Sequence, residues 1–291
     1  MRAFTYLKAM FLLAKHWLSL TVAFSAVVGW LLFLPELSIR LFFVFIGTFF
    51  LAGGAAALNQ YQERNLDLLM SRTRWRPIPS GLVSGSQALM FAIVLIFAGV
   101  FLFLAVGLYK TLILGLINIV IYNLIYTNLK TKTQFAVLPG ALVGAIPPMM
   151  GWVASGGQIF DLRLFYFAIF MFLWQMPHFW LMMANNAIDY QKAGFKVISN
   201  QLEQVKVNRL VFFWAVITGL YLLAMPVFFS KTPFFILGLI IALNIIFIFA
   251  FYSEVFRPKM YSTANSKAFI LINAYVLIAM VLMVASSFFS A

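Results

Sequence analysis

Long apolar runs alternate with short polar breaks along the whole chain, and the run length is that of a bilayer. Nine runs approach the roughly 17–25 residues that a helix needs to cross the hydrocarbon core: residues 17–36, 40–58, 88–108, 111–127, 135–153, 164–183, 210–229, 233–251 and 268–288. The pattern predicts an all-α fold, a polytopic membrane helical bundle of about nine transmembrane helices. The breaks after the second and sixth runs, residues 59–87 and 184–209, are long and polar, whereas those on the opposite side are short. No linker rich in Gly, Ser or Pro and no low-complexity tract interrupts the series, so residues 1–291 read as a single membrane-embedded domain. Two long polar breaks, each after an apolar run, suggest a weak two-fold repeat of a four-helix unit.

Composition excludes a soluble protein. The chain is 64% hydrophobic and only 9% charged, against roughly a quarter charged in soluble domains, and its mean hydropathy is +1.01. It has no cysteine, which rules out disulfides and thiolate metal sites. The net charge of +13 is unevenly placed: with nine spans, sixteen of the twenty Lys and Arg residues fall on the side of the N-terminus, and only Arg40, Lys110, Arg163 and Lys231 fall opposite. Cytoplasmic loops carry such an excess, so the N-terminus and the long polar loops are expected inside and the C-terminus outside. The charge orients the helices and offers no soluble basic surface, so no nucleic-acid partner is expected. The basic amphipathic lead "MRAFTYLKAMFLLAKHW" has no small-residue cleavage site and is not expected to be a removed signal peptide.

Scarce polar residues mark the chemistry. In "NQYQERNLDLLMSRTRWRPIPSG", residues 59–81, Asn59, Glu63 and Asp67 recur every four positions. If the second span continues as a helix past Asn59, these three form one stripe, with neighbours about 40° apart and about 6 Å apart along the axis. One amide and two carboxylates facing one point suit a hard cation such as Mg²⁺, which keeps waters and shares substrate phosphates. Arg72, Arg74 and Arg76 follow and could hold phosphate oxygens, and Pro77 and Pro79 stiffen the segment behind them. The competing reading is a set of juxtamembrane charges that balance one another.

A second cluster lies in "LWQMPHFWLMMANNAIDYQKAGFK", residues 173–196. On a continuous helix His178, Asn185 and Asp189 share a face, and His178 lies about 16 Å deeper than Asp189. A histidine in an apolar span either bonds a neighbouring helix or serves a ligand. Between the clusters, "YTNLKTKTQFAVLPGALVGAIPPMMGW" carries Lys130, Lys132 and Thr133, either membrane anchors or phosphate contacts. Gly144, Pro147, Pro148 and Gly151 predict a kinked helix with small faces that let neighbours or a flat ligand approach. The last three runs carry little beyond hydrophobicity and are expected to pack or face lipid.

These motifs carry a resemblance. Asn-x-x-x-Glu-x-x-x-Asp followed by "RTRWRPIPSG", the block Trp174-Gln175-x-Pro177-His178-Phe179-Trp180, the Asp189-Tyr190-x-x-Ala193-Gly194 segment and the Pro147-Pro148 helix are similar to the UbiA-type intramembrane prenyltransferases, and within them to the protoheme IX farnesyltransferases. The resemblance covers most of residues 1–200. It implies the UbiA-type fold in a bacterial cytoplasmic (inner) membrane and farnesyl transfer from farnesyl diphosphate to a vinyl group of protoheme IX. It also implies Mg²⁺ held by Asn59, Glu63, Asp67 and Asp189, with the same four residues catalytic. Diphosphate contacts would come from Arg72, Arg76, Lys130 and Lys132, a heme contact from His178, and cation-steadying aromatic faces from Tyr122, Tyr126 and Trp152. Heme A synthase or terminal oxidase assembly proteins would be partners. The chain departs from the pattern at Glu63, where many relatives have Asp, at Asn185 and Asn186, where Tyr-Arg is common, at Lys132 in place of Arg, and at Ala136 in place of Asn. A UbiA-type enzyme with another aromatic or tetrapyrrole acceptor, or a non-catalytic heme-binding or transport protein on the same fold, are the alternatives.

Overall fold

A computed structural model describes residues 2–198, 202–256 and 264–290. Among these the chain is helical without strands, and nine helices are long and apolar enough to cross a membrane. In order, α1 is Arg2–Leu13, α2 His16–Phe33, α3 Ile39–Leu69, α4 Gly85–Ala105, α5 Tyr109–Leu129, α6 Gln134–Ala154 and α7 Leu162–Asn185. Then come the short α8, Ala187–Lys192, followed by α9, Gln204–Phe228, and α10, Phe234–Phe256, and α11, Ala264–Ser290. The basic lead is itself a helix, α1.

The apolar periodicity places the spans, but the helices outrun the bilayer where polar residues continue the turn. The second span, expected at 40–58, is a helix to Leu69; its last three turns carry Asn59, Glu63 and Asp67, all buried. Ser38 starts it by accepting from the Leu41 N–H at 3.3 Å. A reciprocal capping box of Ser84 and Gln87 starts α4. Met70, Val83 and Thr73 are buried beneath the intervening loop, and Thr73 Oγ1 donates to the Asp67 carbonyl at 2.9 Å, which ends α3 with its acidic turn fixed.

Packing closes a ring around a hollow. α2 lies along α3 and α6, α7 along α6 and α9, and α11 along α10, α7 and α2. The α2–α6 contact is the close one that the glycines and prolines predicted: a side chain on Gly29 would strike the Pro148 backbone, and one on Gly151 would strike that of Ala26. Backbones that touch this way gain dispersion contact that larger residues would prevent. On the outside, Phe97, Phe101, Ile246 and Phe249 stand about two-thirds exposed or more, the surface of an integral membrane protein whose solvent is lipid.

One expectation about helix continuity fails. α7 stops at Asn185, Asn186 leaves the helix at φ −125° and ψ 25°, and α8 begins afresh. Asn186 Nδ2 bonds back to the Met182 carbonyl at 2.7 Å, the side-chain competition with backbone that makes Asn a helix terminator. His178 and Asp189 therefore do not share one continuous helix, and the depth inferred for His178 from that helix does not stand. In α5 residues Val120–Tyr126 are π-helical, a distortion frequent at functional sites, which nothing in the apolar run announces.

Candidate functional site

The hollow is a cavity of about 640 Å³, within the ordinary range for ligand sites. Its polar end is built on the last turns of α3. Asn59, Glu63 and Asp67 all line it, as the four-residue spacing predicts. Asp67 has no exposure, and both of its oxygens accept from Arg76 Nη1 at 2.8 Å. Lys130 forms an ion pair with Glu63, yet Glu63 Oε1 is buried without a hydrogen bond of good geometry. Asn59 accepts from Lys15 Nζ at 3.3 Å and donates to Thr127 Oγ1 at 3.0 Å. Thr127 in turn donates to the Tyr122 carbonyl within the π-helical turn at 2.8 Å.

Cations surround this stripe. Lys15, Arg72, Arg76 and Lys130 all line the cavity. Lys15 precedes the first span, and enclosure in the apolar wall followed by repulsion from Arg76 pushes its ammonium down to about 7. Lys130 also lies over the Tyr126 ring at 4.7 Å. Tyr122 and Tyr126 stack at 5.8 Å between ring centres and face the cavity. Behind the charged end the wall turns apolar: Leu51, Ala55, Met150, Met171 and Met280 are among its lining.

His178 belongs to the same wall. Its Nδ1 lies 3.0 Å from Asn273 Oδ1 on α11, and Asn273 Nδ2 donates to the Phe269 carbonyl at 2.5 Å. Asn273 thus presents an acceptor, so His178 Nδ1 carries the proton and Nε2 keeps its lone pair. Trp174, Phe179 and Phe269 crowd the ring at 4.9–5.7 Å.

Several predicted residues stand elsewhere. Asp189 does not line the cavity; its carboxylate accepts from Ser71 Oγ at 2.6 Å, Ser71 N at 3.1 Å and Arg72 N at 3.0 Å. The Ser71 hydroxyl and these amides hold its carboxyl below the usual range. In this structure Asp189 ties α8 to the arginine loop and adds no oxygen to the Asn59 stripe, because the break at Asn186 turns it outward. Lys132 is exposed and outside the cavity wall. Trp152 is fully buried on the far side, against Phe33 and under Arg163, 5.2 Å from its ring, so it cannot face a cation in the cavity. Lys192 and Lys196, the first basic residues after the departure at Asn185 and Asn186, are exposed and absent from the wall, so neither replaces the arginine common there.

The donor set fits a divalent cation in chemistry. Among the described residues no three or more His, Asp or Glu side chains gather into a metal cage. An amide and two carboxylates leave coordination positions for water and substrate oxygens, as Mg²⁺ sites with phosphates do.

Comparison with known proteins agrees with this architecture. Residues 35–274 match the model of the UbiA prenyltransferase family. The chain belongs to that family. A protoheme IX farnesyltransferase of Nitratidesulfovibrio vulgaris is 35% identical over 217 residues, spanning 75% of this chain and 76% of the relative. A solved digeranylgeranylglyceryl phosphate synthase superposes with a TM-score of 0.76 at 19% identity, over 97% of this chain and 98% of the other. A UbiA homologue from Archaeoglobus fulgidus bound to GPP and Mg²⁺ superposes with a TM-score of 0.72 at 17% identity, over 97% of this chain and 99% of the other. This UbiA family member is therefore a membrane-embedded prenyltransferase with the fold its sequence pattern predicted.

Sequence reading missed Lys15, Thr127, Asn123 and Asn273. Asn123 locks α5 to α3 by donating to the Ala55 carbonyl at 3.0 Å and to Gln62 Oε1 at 3.1 Å. The available signal for Asn123 was an amide inside an apolar span. Asn273 lay in a run read as packing alone, and its bond to His178 corrects that reading.

Proposed function

We propose that the chain transfers the farnesyl group of farnesyl diphosphate to a vinyl group of protoheme IX, with Mg²⁺, at the cytoplasmic side of a bacterial inner membrane. The observation that carries the proposal is a single cavity, charged at one end and apolar beyond it, with His178 in the same wall as the Asn59, Glu63 and Asp67 stripe. The protoheme IX farnesyltransferase relatives support the acceptor, and the sixteen-to-four division of basic residues supports the orientation.

Asn59, Glu63 and Asp67 would hold the cation. When bound it supplies electrophilic stabilisation of the departing diphosphate. Arg72, Arg76 and Lys130 line the same end and take phosphate oxygens, with Arg76 and Lys130 turning from their carboxylate partners toward the ligand. The C1–O bond of the donor breaks and its electron pair leaves with the diphosphate. Tyr122 and Tyr126 offer stacked π faces near the allylic cation, and the vinyl π electrons of protoheme form the new bond to C1. Water then captures the cation on the former vinyl carbon and loses a proton, which leaves a hydroxyethylfarnesyl substituent. His178 positions the porphyrin, with Nε2 free to meet iron because Asn273 fixes the proton on Nδ1.

The two groups of residues test this division. His178→Ala should weaken heme binding and turnover while affinity for a hydrolysis-resistant farnesyl diphosphate analogue stays within about threefold, about 0.7 kcal/mol. Asp67→Asn should do the reverse. Heme titration by absorbance and analogue binding by calorimetry read both, and loss of both ligands in both variants contradicts separate subsites.

A further inference from the structure

The turn between α1 and α2 holds Lys15 at φ 43° and ψ 51°, the sole positive φ at a non-glycine among the described residues. Side chains disfavour this region, and such a residue persists only where its surroundings impose it. Gln60, next to Asn59 on α3 and 1% exposed, imposes it. Its Nε2 donates to the Leu12 and Leu13 carbonyls, each at 2.9 Å. These are carbonyls at the end of α1, where the intrahelical donors run out. Ser19 Oγ takes the next one, Ala14, at 2.7 Å. The end of α1 is thereby gripped from two sides, and the Lys15 side chain joins the cavity wall.

The charge of Lys15 is unmatched there. Arg76 has Asp67 and Lys130 has Glu63, whereas the hydrogen-bond partner of Lys15 is the neutral amide oxygen of Asn59. Among the described residues Lys15 makes no ion pair. An ammonium enclosed in a membrane cavity whose nearby carboxylates, Glu63 and Asp67, are already paired with Lys130 and Arg76 is unfavourable unless a ligand supplies further negative charge. Outside the cavity, α1 exposes Tyr6, Leu7, Phe11 and Leu12, a face suited to the membrane interface. That face would suit a helix lying along the bilayer surface, and the turn at its end brings Lys15 into the cavity wall.

We infer that Lys15 is a direct ligand of the donor's diphosphate and that Gln60 is a positioning residue that presents it by gripping the end of α1. The inference rests on the reading of the cavity as a prenyl diphosphate site, and its test reads binding without any acceptor. Farnesyl thiolodiphosphate and farnesol are titrated into the full chain in detergent with Mg²⁺, for wild type, Lys15→Gln, Lys15→Arg and Gln60→Leu. Lys15→Gln removes the charge and retains a donor for Asn59. It should lose affinity for the thiolodiphosphate by about tenfold or more, as expected for one charge-assisted contact, with farnesol binding unchanged. Lys15→Arg should retain most of the affinity, and Gln60→Leu should fall between the two with the same selectivity for the charged ligand. A role confined to packing would move both ligands together. Equal affinity of wild type and Lys15→Gln for the thiolodiphosphate, or parallel loss of farnesol, overturns the assignment. Wild-type binding without prenylation of heme refutes the proposed acceptor alone, whereas no wild-type binding refutes the donor site and Lys15 with it.

Discussion

Replacing Asp67 by Asn separates what its carboxylate does for the fold from what it does for the reaction. The residue has no exposure and takes both 2.8 Å hydrogen bonds from Arg76, whose side chain is 21% exposed. Removing one partner of a buried ion pair costs about 3–5 kcal/mol. Arg76 keeps some contact with solvent, so about 2 kcal/mol is the expected loss of stability here. Loss of a group that stabilises developing charge costs about 3–4 kcal/mol of barrier, or two to three orders of magnitude in rate. The stability loss comes from the stranded guanidinium, so adding Arg76→Gln should recover most of it; the rate loss should remain or deepen. Thermal melting in detergent and the rate of heme prenylation at saturating Mg²⁺ read the two quantities separately. A double variant that regains both stability and rate, or an Asp67→Asn protein with wild-type turnover, would refute the reasoning.

Glu63→Asp should retain measurable turnover because it shortens the arm and keeps the oxygen ligand, whereas Glu63→Gln should lose about two orders of magnitude, read by the same prenylation assay. Asp189→Asn should loosen the arginine loop, raising donor KM more than it lowers kcat and exposing residues 70–76 to faster hydrogen exchange; a kcat loss as large as that of Asp67→Asn would instead make Asp189 a metal ligand. Its carboxyl is held below the usual range by Ser71 and the loop amides, so the tether is complete above the unfolded carboxylate value of about 3.9. It is lost as pH falls through the lower folded value, and hydrogen exchange of the loop at successively lower pH checks this. Gly151→Leu should separate α2 from α6 and lower the melting temperature sharply, since its side chain would meet the Ala26 backbone.

The sequence was most informative where a period repeats. Nine apolar runs gave the spans, and the four-residue spacing of Asn59, Glu63 and Asp67 is meaningful because α3 continues as a regular helix through Asp67. Reading the same regularity into residues 178–189 failed, although two adjacent asparagines were a visible stop signal. Lys15 and Asn273 have no periodic signature. Their place follows from how α1 and α11 dock against α3 and α7, and a lone Lys or Asn in the sequence does not say which neighbour it meets. The π-helical turn in α5 was likewise hidden, since apolar side chains disclose how much surface is buried and not how the backbone is wound. The last three spans show the cost of reading composition alone: α11 is as apolar as its neighbours, yet Asn273 sets the proton on His178.

The central claim is that one cavity joins a prenyl diphosphate to protoheme. Purified protein incubated with protoheme IX, farnesyl diphosphate and Mg²⁺, with the porphyrin weighed by mass spectrometry and diphosphate release followed in parallel, tests it most directly. The account predicts a porphyrin heavier by one farnesyl group and one hydroxyl, formed with one diphosphate released per porphyrin and abolished by chelation of the metal. Unchanged protoheme, with no diphosphate released from folded protein, would contradict it.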